Sequence, residues 1–284
     1  MREPQTDFAV THTPKKKYGQ NFLIGPDIPE KIVAKCGVGC DSEVLEIGPG
    51  RGVLTEVLCR HCKRVVSVEI DRTLEPLLEN VLASHENLNV VFDDILKLDI
   101  EKLADENFEG HFSVVANLPY YITTPIITKL IRISRINSIT IMVQKEVARR
   151  LTASPGSSDY GSFTVFVNYF CTAEKLFDVP RGCFRPIPGV DSSVVKLLRR
   201  DEPVVHPSDE PTFFKVIAAA FGQRRKTLVN SLGAVFDKKI ALEALTASGI
   251  APNTRGEQLS IVQFFQIGEH LFKLLQPSLT AKRL

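Results

Sequence analysis

Residues 44–52 read Val44-Leu45-Glu46-Ile47-Gly48-Pro49-Gly50-Arg51-Gly52, an apolar strand followed by a turn rich in glycine. Glycines at such a turn let the backbone approach a ligand closely, and the helix predicted from Val53 would present its N-terminus to that ligand. The spacing differs from the G-x-G-x-x-G of NAD-binding proteins, because position 53 is valine and the third glycine comes one residue early. A turn that serves packing only is the alternative. The stretch predicts the first strand, turn and helix of a nucleoside-binding α/β fold.

Acidic residues follow the next two predicted strands. Glu69 ends the strand Arg64 to Glu69 and can bind the two ribose hydroxyls of a nucleoside cofactor. Asp94 follows the strand Leu88 to Phe92 and can accept a hydrogen bond from an adenine amine. Acidic residues at strand ends also act as helix caps, so each position alone is weak evidence. Together with Gly48 they lie at the carboxyl ends of successive strands, and the combination favours S-adenosylmethionine over NAD.

A third cluster follows the apolar run Phe112 to Ala116 and reads Asn117-Leu118-Pro119-Tyr120. Asn117 and the Leu118 carbonyl can accept hydrogen bonds from a planar exocyclic amine, while Tyr120 can stack on the ring. Pro119 restricts the backbone between them. These atoms suit an enzyme that methylates the amino group of adenine. A polar turn is the alternative, because Asn and Pro are common turn residues.

Strand and helix signals alternate up to about residue 152, which predicts a parallel sheet covered by helices. Beyond it, Phe163 to Phe170 alternates and predicts a strand, and Val194 to Leu198 predicts another that could run antiparallel to it. Residues 212–276 carry only helical signals. The expected fold class is α/β, a Rossmann-like S-adenosylmethionine-dependent methyltransferase sheet with a small C-terminal all-helical domain.

The net charge of +2 over 284 residues indicates no partner by itself, but basic residues are clustered. Such clusters could hold a polyanion if they share a face, and are otherwise solvated surface. The candidates are Lys15-Lys16-Lys17, Arg149-Arg150 and Arg224-Arg225-Lys226. No apolar run approaches the roughly 20 residues of a membrane span, and the N-terminus lacks the pattern of a secretion signal. We expect a cytoplasmic protein without membrane contact.

The six cysteines allow two interpretations. Cys36-x3-Cys40 and Cys59-x2-Cys62 invite a zinc site, but the spacing is loose and the second pair falls in a predicted helix. Reduced thiols with a structural role, and no bound metal, are the expectation.

Several further segments complete a resemblance to a known family. They are Lys17-Tyr18-Gly19-Gln20-Asn21-Phe22-Leu23, Val68-Glu69-Ile70-Asp71, Met142-Val143-Gln144-Lys145-Glu146-Val147-Ala148 and Phe184-Arg185-Pro186-Ile187-Pro188-Gly189-Val190-Asp191-Ser192-Ser193. With the glycine turn and the Asn117 cluster, the chain resembles the ribosomal RNA adenine N6,N6-dimethyltransferases, the bacterial enzymes linked to kasugamycin sensitivity. The resemblance runs from about residue 15 to the end.

The resemblance implies a set of site residues and a domain plan. The S-adenosylmethionine site would be lined by Asn21, Leu23, Gly48, Glu69, Asp94 and Asn117. Phe184 would lie beside the target base, where an aromatic ring held near prolines could stack on a flipped adenine; core packing is the alternative. The domain plan is a basic arm with a cofactor-covering segment (1–25), a methyltransferase domain (26–200) and a helical domain that binds RNA or the ribosome (201–284).

The implied reaction is dimethylation of two adjacent adenines in a hairpin loop near the 3′ end of small-subunit rRNA. The implied partner is that rRNA within a pre-30S particle, with a monomeric enzyme taking part in small-subunit biogenesis. Two alternatives remain open. A DNA adenine methyltransferase is disfavoured by Leu118 and by the segment Gln20 to Leu23. A ribosome-assembly or transcription factor without essential catalysis is disfavoured by the intact glycine turn and Asn117 cluster.

Overall fold

The computed structural model describes residues 13–15, 18–223 and 225–276. The strands, numbered in chain order, are β1 (Phe22–Leu23), β2 (Glu43–Ile47), β3 (Arg64–Glu69), β4 (Leu88–Phe92), β5 (Phe112–Asn117), β6 (Ile136–Gln144), β7 (Cys171–Val179), β8 (Phe184–Arg185) and β9 (Ser192–Arg199). The α-helices are α1 (Asp27–Cys36), α2 (Val53–His61), α3 (Glu75–Ser84), α4 (Ile100–Asn107), α5 (Thr123–Ile131), α6 (Lys145–Leu151), α7 (Ser162–Phe170), α8 (Glu210–Gly222), α9 (Leu228–Phe236), α10 (Lys238–Ala247) and α11 (Ile261–Leu275).

A seven-stranded sheet in the order β4-β3-β2-β5-β6-β9-β7 forms the centre of the first part of the chain. Strands β2 to β6 of this sheet pair in parallel, and β9 pairs antiparallel with β6. The chain builds outward from β2 to β4 on one side and then returns to place β5 and β6 on the other. The strand order therefore reverses between β2 and β5, the place where open α/β sheets bind ligands. The predicted parallel α/β sheet is confirmed.

The apolar runs of these strands explain their central position. Every residue of β2 is buried, and Val44 packs in one core cluster with Val65 of β3 and Val115 of β5. Helix α2 covers this cluster with Val57 and Leu58. Strands buried on both faces carry near-continuous β-branched residues, as this sequence does, and the sheet is consequently a rigid base for the loops at its carboxyl end.

The segment Phe163 to Phe170 is helical, so the prediction of a strand there was wrong. It forms α7, where Val165 and Tyr169, four residues apart, are buried with Phe213 in one core. The backbone N–H of Gly161 donates to Thr164 Oγ1 at 3.1 Å at the start of the helix. Packing of this helical face outweighs the strand preference of aromatic and β-branched residues. Val194 to Leu198 lies in β9 as predicted, but its antiparallel partner is β6.

Contacts divide the chain into two compact units. The first contains residues 1–148 and 174–199, and the second contains residues 149–173 and 200–284. The sequence-based boundary near residue 200 had left 149–173 with the methyltransferase domain. The second unit has its own core, which includes Phe213, Leu232 and Phe264. In the described ranges no helix is both long enough and apolar enough to cross a bilayer.

Candidate active site

A cleft opens at the carboxyl ends of the parallel strands in the first unit. It is lined by Val53, Leu54 and Leu74 and by five segments: residues 18–23, 47–51, 68–70, 93–95 and 117–122. The space between these segments is about 1040 Å³, a figure that includes the part open to solvent. The glycine turn, both acidic strand ends and the Asn117 cluster therefore meet in one place.

The glycine turn has the left-handed backbone that its residues allow. Gly48 has φ +72° and Gly50 has φ +59°, a region that side-chain-bearing residues rarely adopt. A Cβ added at Gly50 would lie 3.0 Å from two ring atoms of Phe22. The Arg51 guanidinium lies 5.0 Å from the centre of the same ring. The turn can therefore be covered closely by the segment that contains Phe22.

Glu69 is fixed in the wall of the cleft by backbone donors. Its Oε2 accepts from the Gly50 N–H at 3.2 Å and its Oε1 from the Asp71 N–H at 2.8 Å. Burial raises the pKa of this carboxyl, although the two hydrogen bonds oppose the rise. A carboxylate has about four acceptor positions, so two hydrogen bonds leave capacity for ribose hydroxyls.

Asp71, two residues further on, is surrounded by donors. Lys15 Nζ lies 2.6 Å from Oδ1, Gln20 Nε2 donates to Oδ2 at 3.0 Å, and the Thr73 hydroxyl donates to Oδ1 at 2.7 Å. Burial alone would raise the pKa of Asp71, but these hydrogen bonds hold it well below its usual range. The carboxyl group of Asp71 is therefore ionised at neutral pH. Sequence reasoning assigned it no role, although a second acidic residue two positions after Glu69 was a signal.

The Asn117 cluster closes the other side of the cleft. Asn117 Nδ2 donates to the Asn21 carbonyl at 3.4 Å, which leaves Oδ1 as the acceptor. The backbone N–H of Leu118 donates to the Met142 carbonyl at 3.3 Å and so fixes the peptide to β6. The Tyr120 hydroxyl lies 2.9 Å from Ser192 Oγ, with either group able to donate. This contact with a buried serine anchors the hydroxyl end of the Tyr120 side chain.

Asp94 both lines the cleft and caps a turn. Its Oδ1 accepts from the Leu96 N–H at 3.0 Å, and Lys97 Nζ lies 3.8 Å from Oδ2. The capping interpretation is therefore correct in part, and the remaining acceptor positions stay compatible with an adenine amine. Ile95 beside it is buried and lines the same cleft.

Two other predicted residues lie on a small antiparallel pairing of β1 with β8. Leu23 pairs with Phe184, and Leu23 also lines the cleft. Phe184 does not line it: only 1% of its surface is exposed, and its ring packs in the core cluster that contains Val44 and Val115. The structure therefore places Phe184 in the core, and the stacking of Phe184 on a flipped base finds no support in this geometry.

The predicted basic residues that the structure describes have different surroundings. Lys15 lies at Asp71, and Arg149 Nε lies 3.5 Å from Asp159 Oδ2. Three others are exposed in the second unit: Arg150, Arg225 and Lys226. The remaining three, Lys16, Lys17 and Arg224, lie outside the described residues.

Three of the four cysteines in the two pairs have the chemistry of buried thiols, and the fourth, Cys40, is exposed. Cys36, Cys59 and Cys62 are buried in the core of the first unit. Burial raises the pKa of Cys59 and of Cys62 to about 12, so both remain protonated at neutral pH. A metal binds the thiolate form, and the environment of these sulfurs disfavours it.

Glu46, which sequence reasoning left without a role, is a buried carboxyl two residues before Gly48. Its Oε2 accepts from the Ser67 hydroxyl at 2.6 Å, and its Oε1 has no hydrogen-bond partner among the described residues. Burial raises the pKa of Glu46 from 4.5 to about 7, and the hydrogen bond from Ser67 offsets this only in part. The residue therefore exchanges its proton near neutral pH beneath the glycine turn.

Glu46→Gln should remove a pH dependence of stability. Because the folded-state pKa is raised, the folded protein holds a proton that the unfolded chain loses between pH 4.5 and about 7. The wild-type free energy of unfolding should therefore fall by about 3 kcal/mol across that window relative to the variant, which does not titrate there. Urea unfolding at pH 5 and pH 8 measures the difference, and equal pH profiles would contradict the assignment.

Comparisons with known proteins agree with the family that the sequence motifs indicated. A family model described as ribosomal RNA adenine dimethylase matches residues 11–273. A ribosomal RNA small subunit methyltransferase A from Caldanaerobacter subterraneus is 47% identical over 264 residues, which cover 92% of this chain and 98% of that protein. A protein of the same name from Anoxybacillus flavithermus is 46% identical and covers 92% of this chain and 91% of its own length.

Two solved structures are similar to this one over most of the chain. A dimethyladenosine transferase from Plasmodium falciparum has a TM-score of 0.73 at 27% identity and covers 86% of this chain and 95% of its own. The 23S rRNA methyltransferase ErmE has a TM-score of 0.69 at 28% identity and covers 89% of this chain and 100% of its own.

Proposed function

The chain belongs to the ribosomal RNA adenine dimethylase family, and from this premise we propose that it dimethylates N6 of two adjacent adenines in a hairpin loop near the 3′ end of small-subunit rRNA. It is an S-adenosylmethionine-dependent methyltransferase by family. One observation carries the proposal: the Asn117 cluster lies in the same cleft as the glycine turn, Glu69 and Asp94. An amine acceptor and a nucleoside cofactor can therefore be held side by side.

The residues present fit S-adenosylmethionine. Glu69 is held by two backbone N–H groups and keeps acceptor positions for ribose hydroxyls, while Asp94 keeps acceptor positions for the adenine amine. Gly48, Asn21 and Leu23 line the same space. When bound, the cofactor supplies an electrophilic methyl group on a sulfonium.

The chain's own part in the reaction is to orient the acceptor nitrogen. The N6 lone pair of adenine is delocalised into the ring, so the free amine is a poor nucleophile. Asn117 Oδ1 and the Leu118 carbonyl would accept its N–H groups and favour a tetrahedral nitrogen. The same oxygens would stabilise the positive charge that develops on that nitrogen. Because the product ammonium loses its proton easily, no strong base is needed, and positioning supplies most of the rate.

The target base must leave its stack to reach this cleft. A base inside a helix cannot present its amine for in-line attack, so it is extruded or taken from a loop. Tyr120, whose hydroxyl is anchored to Ser192, offers a ring to replace the lost stacking. Substrate RNA would be held further by backbone phosphates, with exposed Arg150, Arg225 and Lys226 of the second unit as candidates.

Tyr120→Ala should raise the KM for RNA by about tenfold, because aromatic stacking on an unpaired base contributes about 1–3 kcal/mol. Tyr120→Phe retains the ring and loses only the hydrogen bond to Ser192, so its KM should stay near the wild-type value. Steady-state kinetics with a hairpin RNA or an immature subunit measures both. An alanine variant with the KM of the phenylalanine variant would remove Tyr120 from base stacking.

We propose that the substrate is a pre-30S particle in the cytoplasm, that the enzyme acts as a monomer, and that its activity belongs to small-subunit biogenesis. Small-subunit rRNA is supported as the partner by the relatives named ribosomal RNA small subunit methyltransferase A, and the cleft and the exposed basic residues are compatible with adenine and with phosphate.

The substrate class is tested by supplying radiolabelled S-adenosylmethionine with immature small subunits or with duplex DNA rich in adenine. Label in N6,N6-dimethyladenosine of the rRNA is the expected result. Label in DNA only would support a DNA adenine methyltransferase, and no label with normal subunit binding would support a non-catalytic assembly factor.

A further inference from the structure

The segment that covers the cleft is fastened at both of its ends. Residues 18–23 line the cleft, and β1 at the end of this segment pairs with β8. In its middle, the Asn21 carbonyl accepts from Asn117 Nδ2 at 3.4 Å, a long hydrogen bond. Just before the segment lies Lys15, and Gln20 lies in its first half. Both side chains contact the carboxylate of Asp71. The beginning is thus held by charge, whereas the end is held by strand pairing.

The fastening at Asp71 is a closed network. Lys15 Nζ lies 2.6 Å from Asp71 Oδ1, Gln20 Nε2 donates to Oδ2 at 3.0 Å, and the Lys15 backbone N–H donates to Gln20 Oε1 at 2.7 Å. The Asp71 side chain is 2% exposed, whereas that of Lys15 is 32% exposed. A buried carboxylate that meets a lysine and an amide of one short segment binds that segment strongly, since charge-assisted hydrogen bonds exceed neutral ones.

The same residue also contacts Glu69, which lines the cleft. The Asp71 N–H donates to Glu69 Oε1 at 2.8 Å, so the residue proposed to bind ribose and the residue that holds the covering segment are two positions apart and hydrogen-bonded. A movement of the segment that pulls on Asp71 acts on Glu69 directly. Asp71 therefore connects Glu69, in the wall of the cleft, with the segment 18–23 that covers the cleft.

We propose that Asp71 is a positioning residue that, through Lys15 and Gln20, latches residues 18–23 over bound S-adenosylmethionine and thereby sets the rate at which cofactor and product leave. The inference rests on the proposed cofactor site. A ligand enclosed between the cover and the glycine turn can leave only after the cover moves, and the latch opposes that movement. Lys15 then belongs to the cofactor latch, although its place in a basic cluster had suggested RNA contact.

The test is a double-mutant cycle on the latch. Lys15→Met and Asp71→Asn should each raise the dissociation rate of S-adenosylhomocysteine by about tenfold, the loss expected for one charge-assisted hydrogen bond. The double variant should resemble either single variant, because both changes break the same pair. Rapid filtration of bound radiolabelled S-adenosylhomocysteine during a chase with excess unlabelled S-adenosylmethionine measures the dissociation rate, and association rates should change far less.

Matched controls separate the latch from general destabilisation and from RNA contact. Lys63→Met breaks an exposed ion pair with Glu109, at 2.7 Å in the same unit, and should leave the dissociation rate at its wild-type value. Lys15→Met should also leave unchanged the slope of RNA affinity against salt, whereas loss of one phosphate contact would reduce that slope by about 0.7. If Asp71→Asn folds poorly, Lys15→Met still decides the question, since Lys15 is partly exposed.

Wild-type dissociation rates in both single variants, or fully additive effects in the double variant, would overturn the latch. If Lys15→Met reduces the slope of RNA affinity against salt, Lys15 contacts an RNA phosphate, and this result would contradict its assignment to the latch. Failure of the proposed function has a different signature, namely a wild-type protein that binds neither S-adenosylmethionine nor S-adenosylhomocysteine.

Discussion

Replacing Asn117 with alanine is expected to lower the rate of methyl transfer by about 100- to 1,000-fold, the usual loss when one preorganised partner of a developing charge is removed. Asn117 ends β5, and its amide nitrogen points to the Asn21 carbonyl, so its Oδ1 is the group available to the acceptor amine. The charge on N6 appears only during transfer, and the loss should therefore fall on kcat. Single-turnover assays with radiolabelled cofactor and immature small subunits measure it.

Asn89→Ala is the matched control for this substitution. Asn89 is an exposed asparagine of β4 whose side chain donates to Asn107 Oδ1 at 2.7 Å, away from the cleft. Its variant should retain the wild-type rate. Calorimetry should also show that Asn117→Ala binds S-adenosylmethionine with nearly wild-type affinity, because Asn117 is only one of several groups around the cofactor. Undiminished turnover in Asn117→Ala would rule out the acceptor role.

Glu69→Gln is expected to weaken S-adenosylmethionine binding by about 100-fold, since hydrogen bonds to a charged group are worth more than neutral ones and two of them would be lost or weakened. Both oxygens of Glu69 also accept from backbone N–H groups, those of Gly50 and Asp71. An amide nitrogen in place of either oxygen would face a donor and disturb the turn. Isothermal titration at pH 8 measures the affinity.

The pH dependence of binding gives this prediction a second readout. Because burial raises the pKa of Glu69, acidification should weaken wild-type binding at a higher pH than for an ordinary glutamate, and this component should be missing in Glu69→Gln. Glu86→Gln, at an exposed position, is the control and should bind as the wild type does. A Glu69→Gln variant with wild-type affinity would show that the ribose is held elsewhere.

The sheet could be predicted because its signals are local. Glycines with φ above +50° at positions 48 and 50 can be anticipated from the turn itself. The β-branched runs of β2, β3 and β5 are typical of strands buried on both faces. The strand ends that carry Glu69, Asp94 and Asn117 then meet in one cleft because parallel strands of an open sheet point their carboxyl ends the same way.

The sequence-based predictions differ from the structure where contacts between residues far apart in the chain determine the conformation. Phe163 to Phe170 has the composition of a strand, yet it is a helix because Val165 and Tyr169 pack against Phe213, some fifty residues later in the chain. Phe184 stands between motifs that suggest a base-binding role, yet pairing of β8 with β1 directs it into the core. Neither contact has a local signature in the sequence.

Lys15 illustrates the same limit for charge. In sequence it belongs to a run of three lysines, which is typical of an RNA-binding or solvated surface. In the structure its ammonium group meets the buried carboxylate of Asp71, fifty-six positions away. Charge clusters in a sequence therefore predict a local potential, whereas the partner of each charge depends on the tertiary fold.

The most direct test of the proposed activity is mass spectrometry of small-subunit rRNA from cells with and without the gene. The account predicts two adjacent N6,N6-dimethyladenosines near the 3′ end when the gene is present, two unmodified adenines when it is deleted, and no restoration by the Asn117→Ala variant. Full dimethylation in the deletion strain, or restoration by a variant that lacks the Asn117 side chain, would contradict it.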